Sequence, residues 1–159
     1  MKTITINQAN AMKAHKEADK TTKKLLETLL GTELFSQKIT DRVKTFQDAL
    51  DIVGASDNQK ILLDYNGVDK DMLAAKAFLQ LTIIAKALNE GWTPDWTDTS
   101  QYKYYAWFTH KSGSGLSSYV YVYSLSNTTV GSRLCFSSSE LATYAGQQFE
   151  NIYRDFLLI

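Results

Sequence analysis

Along the first ninety positions, apolar residues recur every three or four places, which is the spacing of amphipathic helices. After a short TITI stretch, Ala11, Ala14, Ala18, Leu25 and Leu29 fall at three-to-seven spacing and lead into LLETLLG. Gly31 stands where a left-handed residue ends a helix. A second helix is predicted after Thr40 in TDRVKTFQDALDIVG, with Val43, Phe46, Leu50 and Val53 on one face and Gly54 as its stop. The third is predicted in DKDMLAAKAFLQLTIIAKALNEGW, capped by Asp69 or Asp71 and closed by Gly91 and Pro94. Its polar residues form a narrow stripe near Lys76, Gln80, Lys86, Asn89 and Glu90. The remainder is apolar nearly all round, so this helix needs several neighbours to bury it. Between the second and third helices, Ile61 to Leu63 fit either a helical turn or a strand.

After Trp92 the period changes from 3.6 to 2. Lys103–Thr109, Ser118–Ser124 and Thr129–Phe136 are predicted strands, separated by the turn-like KSGSG and LSN. The chain then returns to a helical pattern in SSSELATYAGQQFENIYRDFLLI. Ser137 and Glu140 have capping-box spacing, and Leu141, Tyr144, Ala145, Phe149, Ile152 and Phe156 make one apolar stripe. Gly146 in mid-helix points to close packing there. The predicted fold is α+β: N-terminal helices, a three-stranded antiparallel meander, and a C-terminal helix packed on the sheet. It is read as a single domain over 1–159, helical to about 91, with the sheet and last helix over about 92–159.

The span from Trp92 to Phe136 holds eleven of the nineteen aromatic residues, five of them in QYKYYAWF. Strict alternation puts Ala106, Phe108, Val120, Val122, Leu134 and Phe136 on a core face for the last helix. It leaves Lys103, Tyr105, Trp107, Tyr119, Tyr121, Tyr123 and Arg133 on the other face. Half-buried tyrosines with wet hydroxyls need no ligand. The same set also matches a protein-binding surface, where Tyr, Trp and Arg are over-represented. A third reading is a single-strand nucleic-acid platform, in which bases stack on rings beside cations. Two cations on the face are few for that purpose.

Composition narrows the chemistry. The 159 residues carry one cysteine, Cys135, which suits a reducing cytosol, and no apolar run of the length that spans a membrane. The first ten residues lack the apolar segment of a secretory signal. Net charge is zero, yet residues 1–45 hold nine Lys/Arg against five Asp/Glu, and residues 46–159 hold eight against twelve. The basic run Lys13, Lys16, Lys20, Lys23 and Lys24 fits a solvated helix face, although clustered cations can also meet phosphates. His15 and His110 have no Cys or His at ligand spacing. DYNGVDKD fails as a calcium loop, because Gly67 at position six puts Leu62 and Leu73 where carboxylates are needed. KSGSGLSS has no Walker lysine, and Cys135 no nearby base. Asp64, Asp95 and Asp98 could converge only through the fold. No catalytic residue, metal site or cofactor is expected.

Three stretches, ITDRVKTFQDALDIVG, ALNEGWTPDW with QYKYYAWF, and VGSRLCFSSSELATYAGQQFENIYRDFLLI, together resemble a group of small uncharacterised phage and prophage proteins of gut bacteria. The resemblance implies expression in the cytoplasm of a bacterial host, or carriage in a virion, and assigns no activity to any residue. The expectation is a non-catalytic accessory or protein-interaction domain, with single-stranded nucleic-acid binding as the alternative.

Overall fold

The computed structural model describes residues 6, 8–111, 115–125 and 132–158, apart from the side chains of 8, 9, 110, 111, 115–120 and 132. Residues 3–5 of the TITI segment, 112–114 and 126–127 of the two predicted turns, the His110 side chain and residues 129–131 of the third predicted strand lie outside that description. Two units divide the chain, Met1–Arg42 and Val43–Ile159.

The first unit holds α1 (Gln8–Glu17), α2 (Lys20–Leu30), α3 (Thr32–Ser36) and α4 (Ile39–Arg42). The apolar spacing predicts one helix through Leu29. Instead the chain breaks before Asp19, whose extended backbone and carboxylate cap α2 by accepting from the Thr22 amide at 2.7 Å. Gly31 ends α2 with φ of 86°, a conformation that costs glycine little. Leu25 and Leu29 stay exposed, while Leu26 and Leu30 are half-buried. His15 ties the helices together: its Nε2 lies 2.7 Å from Glu27 Oε1, and its ring stacks on Phe35 at 4.1 Å. Lys13, Lys16, Lys20 and Lys24 are exposed on helix surfaces.

The second unit is built on α5 (Phe46–Val53), α6 (Asp57–Leu63) and α7 (Lys70–Leu88). Asp69 caps α7 by accepting from the Met72 amide at 2.9 Å. From Leu81 onward α7 buries Leu81, Ile83, Ile84, Ala85, Ala87 and Leu88 together with Thr82, whose hydroxyl donates to the Phe78 carbonyl. Each large side chain buried in this way contributes about 1.5–3 kcal/mol. The predicted Thr40 helix is split, because Thr45 and Asp48 form a capping box that starts α5 at Phe46. Val43 is fully buried outside any helix, and Gly54 ends α5 with φ of 75°. The ambiguous Ile61–Leu63 segment is helical: Ser56 and Gln59 form a second capping box at the start of α6.

Two antiparallel strands follow, β1 (Lys103–Lys111) and β2 (Gly115–Ser124). The three-stranded meander is not found among the described residues. Ser132–Leu134 form a 3-10 turn, and only Phe136 bridges β1, exchanging backbone hydrogen bonds with Tyr104 at 3.0 and 2.8 Å. Asn89, at the end of α7, holds the backbone on either side of Phe136. Its side-chain amide donates to the Cys135 carbonyl at 2.8 Å and its Oδ1 accepts from the Ser137 amide at 3.0 Å, so this stretch is tied to the helix as well as to β1.

The last predicted helix is two, α8 (Ser139–Gln148) and α9 (Glu150–Leu158), broken at buried Phe149. The cap is Ser138 and not Ser137, since its hydroxyl accepts from the Leu141 amide at 3.3 Å. Helix α8 lies along both strands, with Ala142, Ala145 and Gly146 buried. Helix α9 packs on α7 through Phe156 against Phe78, and its Tyr153 meets Phe108 at 4.7 Å. Tyr144 and Gln148 donate to the carbonyls of Val43 and Lys44, both at 2.7 Å, which fixes the chain entering α5.

Burial draws the Asp48 pKa upward, but the Thr45 and Lys44 amides and the Thr45 hydroxyl outweigh it and leave the group below its ordinary 3.8. The folded pKa is the lower one, so this stability is present above 3.8 and is lost as pH falls through the folded value. Asp48→Ala should therefore cost about 1 kcal/mol at neutral pH. Urea denaturation at neutral pH and in acid should show the deficit shrinking in acid, whereas a constant deficit would argue against the cap.

Candidate binding surface

The hairpin begins in the register that strict alternation implies, with Lys111 opposite Gly115, Thr109 opposite Ser117 and Phe108 opposite Ser118. Continued unchanged, that register would set Tyr105 opposite Tyr121 and Lys103 opposite Tyr123, the face predicted from sequence. Between Phe108 and Trp107 it shifts. Trp107 pairs with Val120, and Tyr119 becomes an extra residue in β2. Beyond the bulge Tyr105 faces Val122, Lys103 faces Ser124, Tyr104 faces Tyr123 and Ala106 faces Tyr121. A one-residue slip exchanges the faces of one strand relative to the other.

The predicted set is therefore divided. Lys103 is 0% exposed and Tyr105 3%, so neither is a surface group. Tyr121 and Tyr123 are exposed at 42% and 58%, and Trp107 at 45% on the face of Tyr105. Arg133 is exposed but stands on the 3-10 turn, off the sheet. The side chains of Tyr119 and Val120 lie outside the described residues. Leu134 and Phe136 are buried as predicted, and Phe108 reaches the C-terminal helices.

Tyr121 and Tyr123 join two rings that the predicted face had left out, Tyr102 and Tyr104. Tyr104 meets Tyr121 edge-to-face at 5.5 Å and Tyr123 at 6.3 Å; Tyr102 meets Tyr123 edge-on at 4.9 Å and lies roughly parallel to Tyr104 at 6.0 Å. Edge-to-face pairs of this kind are worth about 0.5–1.5 kcal/mol each beyond area burial. The i, i+2 spacing in YKY was the available signal for Tyr102 and Tyr104; without the bulge it could not be linked to Tyr121 and Tyr123.

Beneath this cluster, Lys103 anchors the loop that precedes β1. Its Nζ donates to the Asp98 carbonyl at 3.0 Å and sits 5.5 Å over the Trp96 ring. The loop folds on its own carboxylates. Asp95 Oδ1 accepts from the amide and hydroxyl of Thr97 at 2.8 and 2.7 Å and from the Asp98 amide at 3.3 Å; Asp98 Oδ1 accepts from the amide and hydroxyl of Ser100 at 2.8 and 2.6 Å and from the Gln101 amide at 3.2 Å. Asp64 instead sits at the end of α6.

The chemistry of the remaining candidates is subdued. Burial pushes the Cys135 thiol up to about 11, so it stays protonated near neutral pH. Among the described residues no three His, Cys, Asp or Glu are grouped to hold a metal, and no helix is long and apolar enough to cross a membrane. An open cleft of about 350 Å³ beside Ser56, Gln59, Ile83 and Lys86 has no buried polar group at hand. Comparisons with protein-family models, with curated proteins and with solved structures find no match.

Removing the Lys103 amine while keeping most of the stem, as in Lys103→Met, leaves the Asp98 carbonyl without this donor and should cost about 1–3 kcal/mol. Lys103→Ala adds a cavity and should cost more, about 2–5 kcal/mol. Chemical denaturation of both variants tests the anchor. Stabilities indistinguishable from wild type would show that Lys103 does not hold the loop.

Proposed function

We propose that the protein is a non-catalytic interaction domain that recognises another protein through the surface of Tyr102, Tyr104, Tyr121 and Tyr123. The observation that carries this reading is the ring cluster itself, three of whose four members are exposed. Tyrosine supplies a large, rigid contact area with a hydroxyl for hydrogen bonding, at little cost in side-chain entropy. Such rings are over-represented where binding energy concentrates.

Single-stranded nucleic-acid binding loses support on charge grounds. That reading relied on Lys103 and Arg133 beside the rings, but Lys103 is buried in the loop anchor and Arg133 is off the sheet. Phosphate binding draws its strength from clustered cations, which this face lacks among the described residues. A phage-type accessory role in a bacterial cytoplasm is part of the proposal and rests on the sequence resemblance alone.

The paired substitution Tyr121→Ala with Tyr123→Ala should lower stability by about 1–3 kcal/mol, through loss of the ring contacts. Immobilised wild-type protein should retain at least one host or phage protein that the doubly substituted chain, folded by circular dichroism, does not. Identical retained sets would remove the surface from consideration.

A further inference from the structure

We infer that the partner surface received by the tyrosine cluster presents arginine side chains; this rests on the protein-recognition reading above and names its chemistry. Three features converge on a cationic partner. The exposed Tyr102, Tyr121 and Tyr123 offer electron-rich ring faces, and these attract cations. The loop leading directly into Tyr102 carries Asp95 and Asp98, and Asp98 is itself hydrogen-bonded to the amide of Gln101, the residue before Tyr102. The loop itself carries no Lys or Arg, and Lys103 at the start of β1 is buried and engaged with it, so two carboxylates stand against one buried amine. The wider surroundings agree, with twelve Asp/Glu against eight Lys/Arg over residues 46–159.

Both carboxylates are available in ionised form. The Thr97 hydroxyl and amide hold Asp95 below its ordinary 3.8, and the Ser100 hydroxyl and amide do the same for Asp98. The six hydrogen bonds made to these two carboxylates all end on Oδ1, which among the described residues leaves the other oxygen of each for an incoming donor. A guanidinium suits this arrangement better than an ammonium. It is planar, weakly hydrated, stacks on an aromatic face, and still presents a fork of donors to a carboxylate at its edge. A phosphate-bearing partner would be repelled by the same carboxylates.

The test follows tyrosine ring signals by NMR while the full chain is titrated with capped triarginine, trilysine or triglutamate peptides, at about 50 and about 300 mM salt. Triarginine should shift the Tyr102, Tyr121 and Tyr123 rings saturably, at least about threefold more tightly than trilysine. Triglutamate should not, and the higher salt should weaken the response. Asp98→Asn should weaken triarginine binding about two- to fivefold with the ring contacts intact. Equal binding of trilysine and triarginine, or shifts spread over the whole surface, would overturn the inference. Tyrosine-dependent capture of a protein with no triarginine response would sink the arginine assignment alone and leave protein recognition standing. Triarginine shifts confined to these rings, and lost with Tyr121→Ala, would support it.

Discussion

The register shift opposite Trp107 governs which side chains of the hairpin meet the interior and which meet water, because strand side chains alternate with a period of two. Nearer the turn, β1 and β2 pair so that odd-numbered residues face odd-numbered ones. Past the extra residue Tyr119, odd faces even. This brings Tyr104 opposite Tyr123 and Ala106 opposite Tyr121, while Lys103 and Tyr105 face Ser124 and Val122. Without the bulge the three tyrosines Tyr104, Tyr121 and Tyr123 could not form one cluster on one side.

The inward turn of Lys103 has consequences beyond the sheet. A buried amine requires partners, and it finds the Asp98 carbonyl and the Trp96 ring. That contact adds to the short-range hydrogen bonds of the loop from Asp95 to Ser100, made to its own carboxylates and from the Asp95 amide to Gln101 Oε1. The surface next to Tyr102 therefore carries negative charge, with its balancing amine underneath. Sheet register, loop order and surface charge are linked through one lysine.

Helix α7 supplies the ground on which this is built. Its Asn89 side chain grips the backbone on both sides of Phe136, and Phe136 in turn bridges Tyr104 of β1. The 3-10 turn of Ser132–Leu134 leads directly into that grip. An apolar helix thus positions the hairpin by two polar bonds at its end, while α8 and α9 close over the strands with Ala142, Ala145, Phe149 and Tyr153.

Sequence by itself determined the elements whose causes are local. The apolar content of α7, its Asp69 cap, the positive-φ stops at Gly31 and Gly54, and the alternation of β1 and β2 all arise within a few residues of one another. It blurred the breaks at Asp19, Thr45 and Phe149, where a cap or a buried ring interrupts an apolar period that reads as continuous. Tertiary structure alone decided the rest. A bulge is one residue in a pairing between strands, and the Asn89 grip spans more than forty positions, so neither leaves a periodic trace. Only the packed chain shows Ser132–Leu134 as a 3-10 turn and Lys103 and Tyr105 as buried. The bulge, a property of the pairing between strands, brings Tyr104, Tyr121 and Tyr123 to one face beside Tyr102.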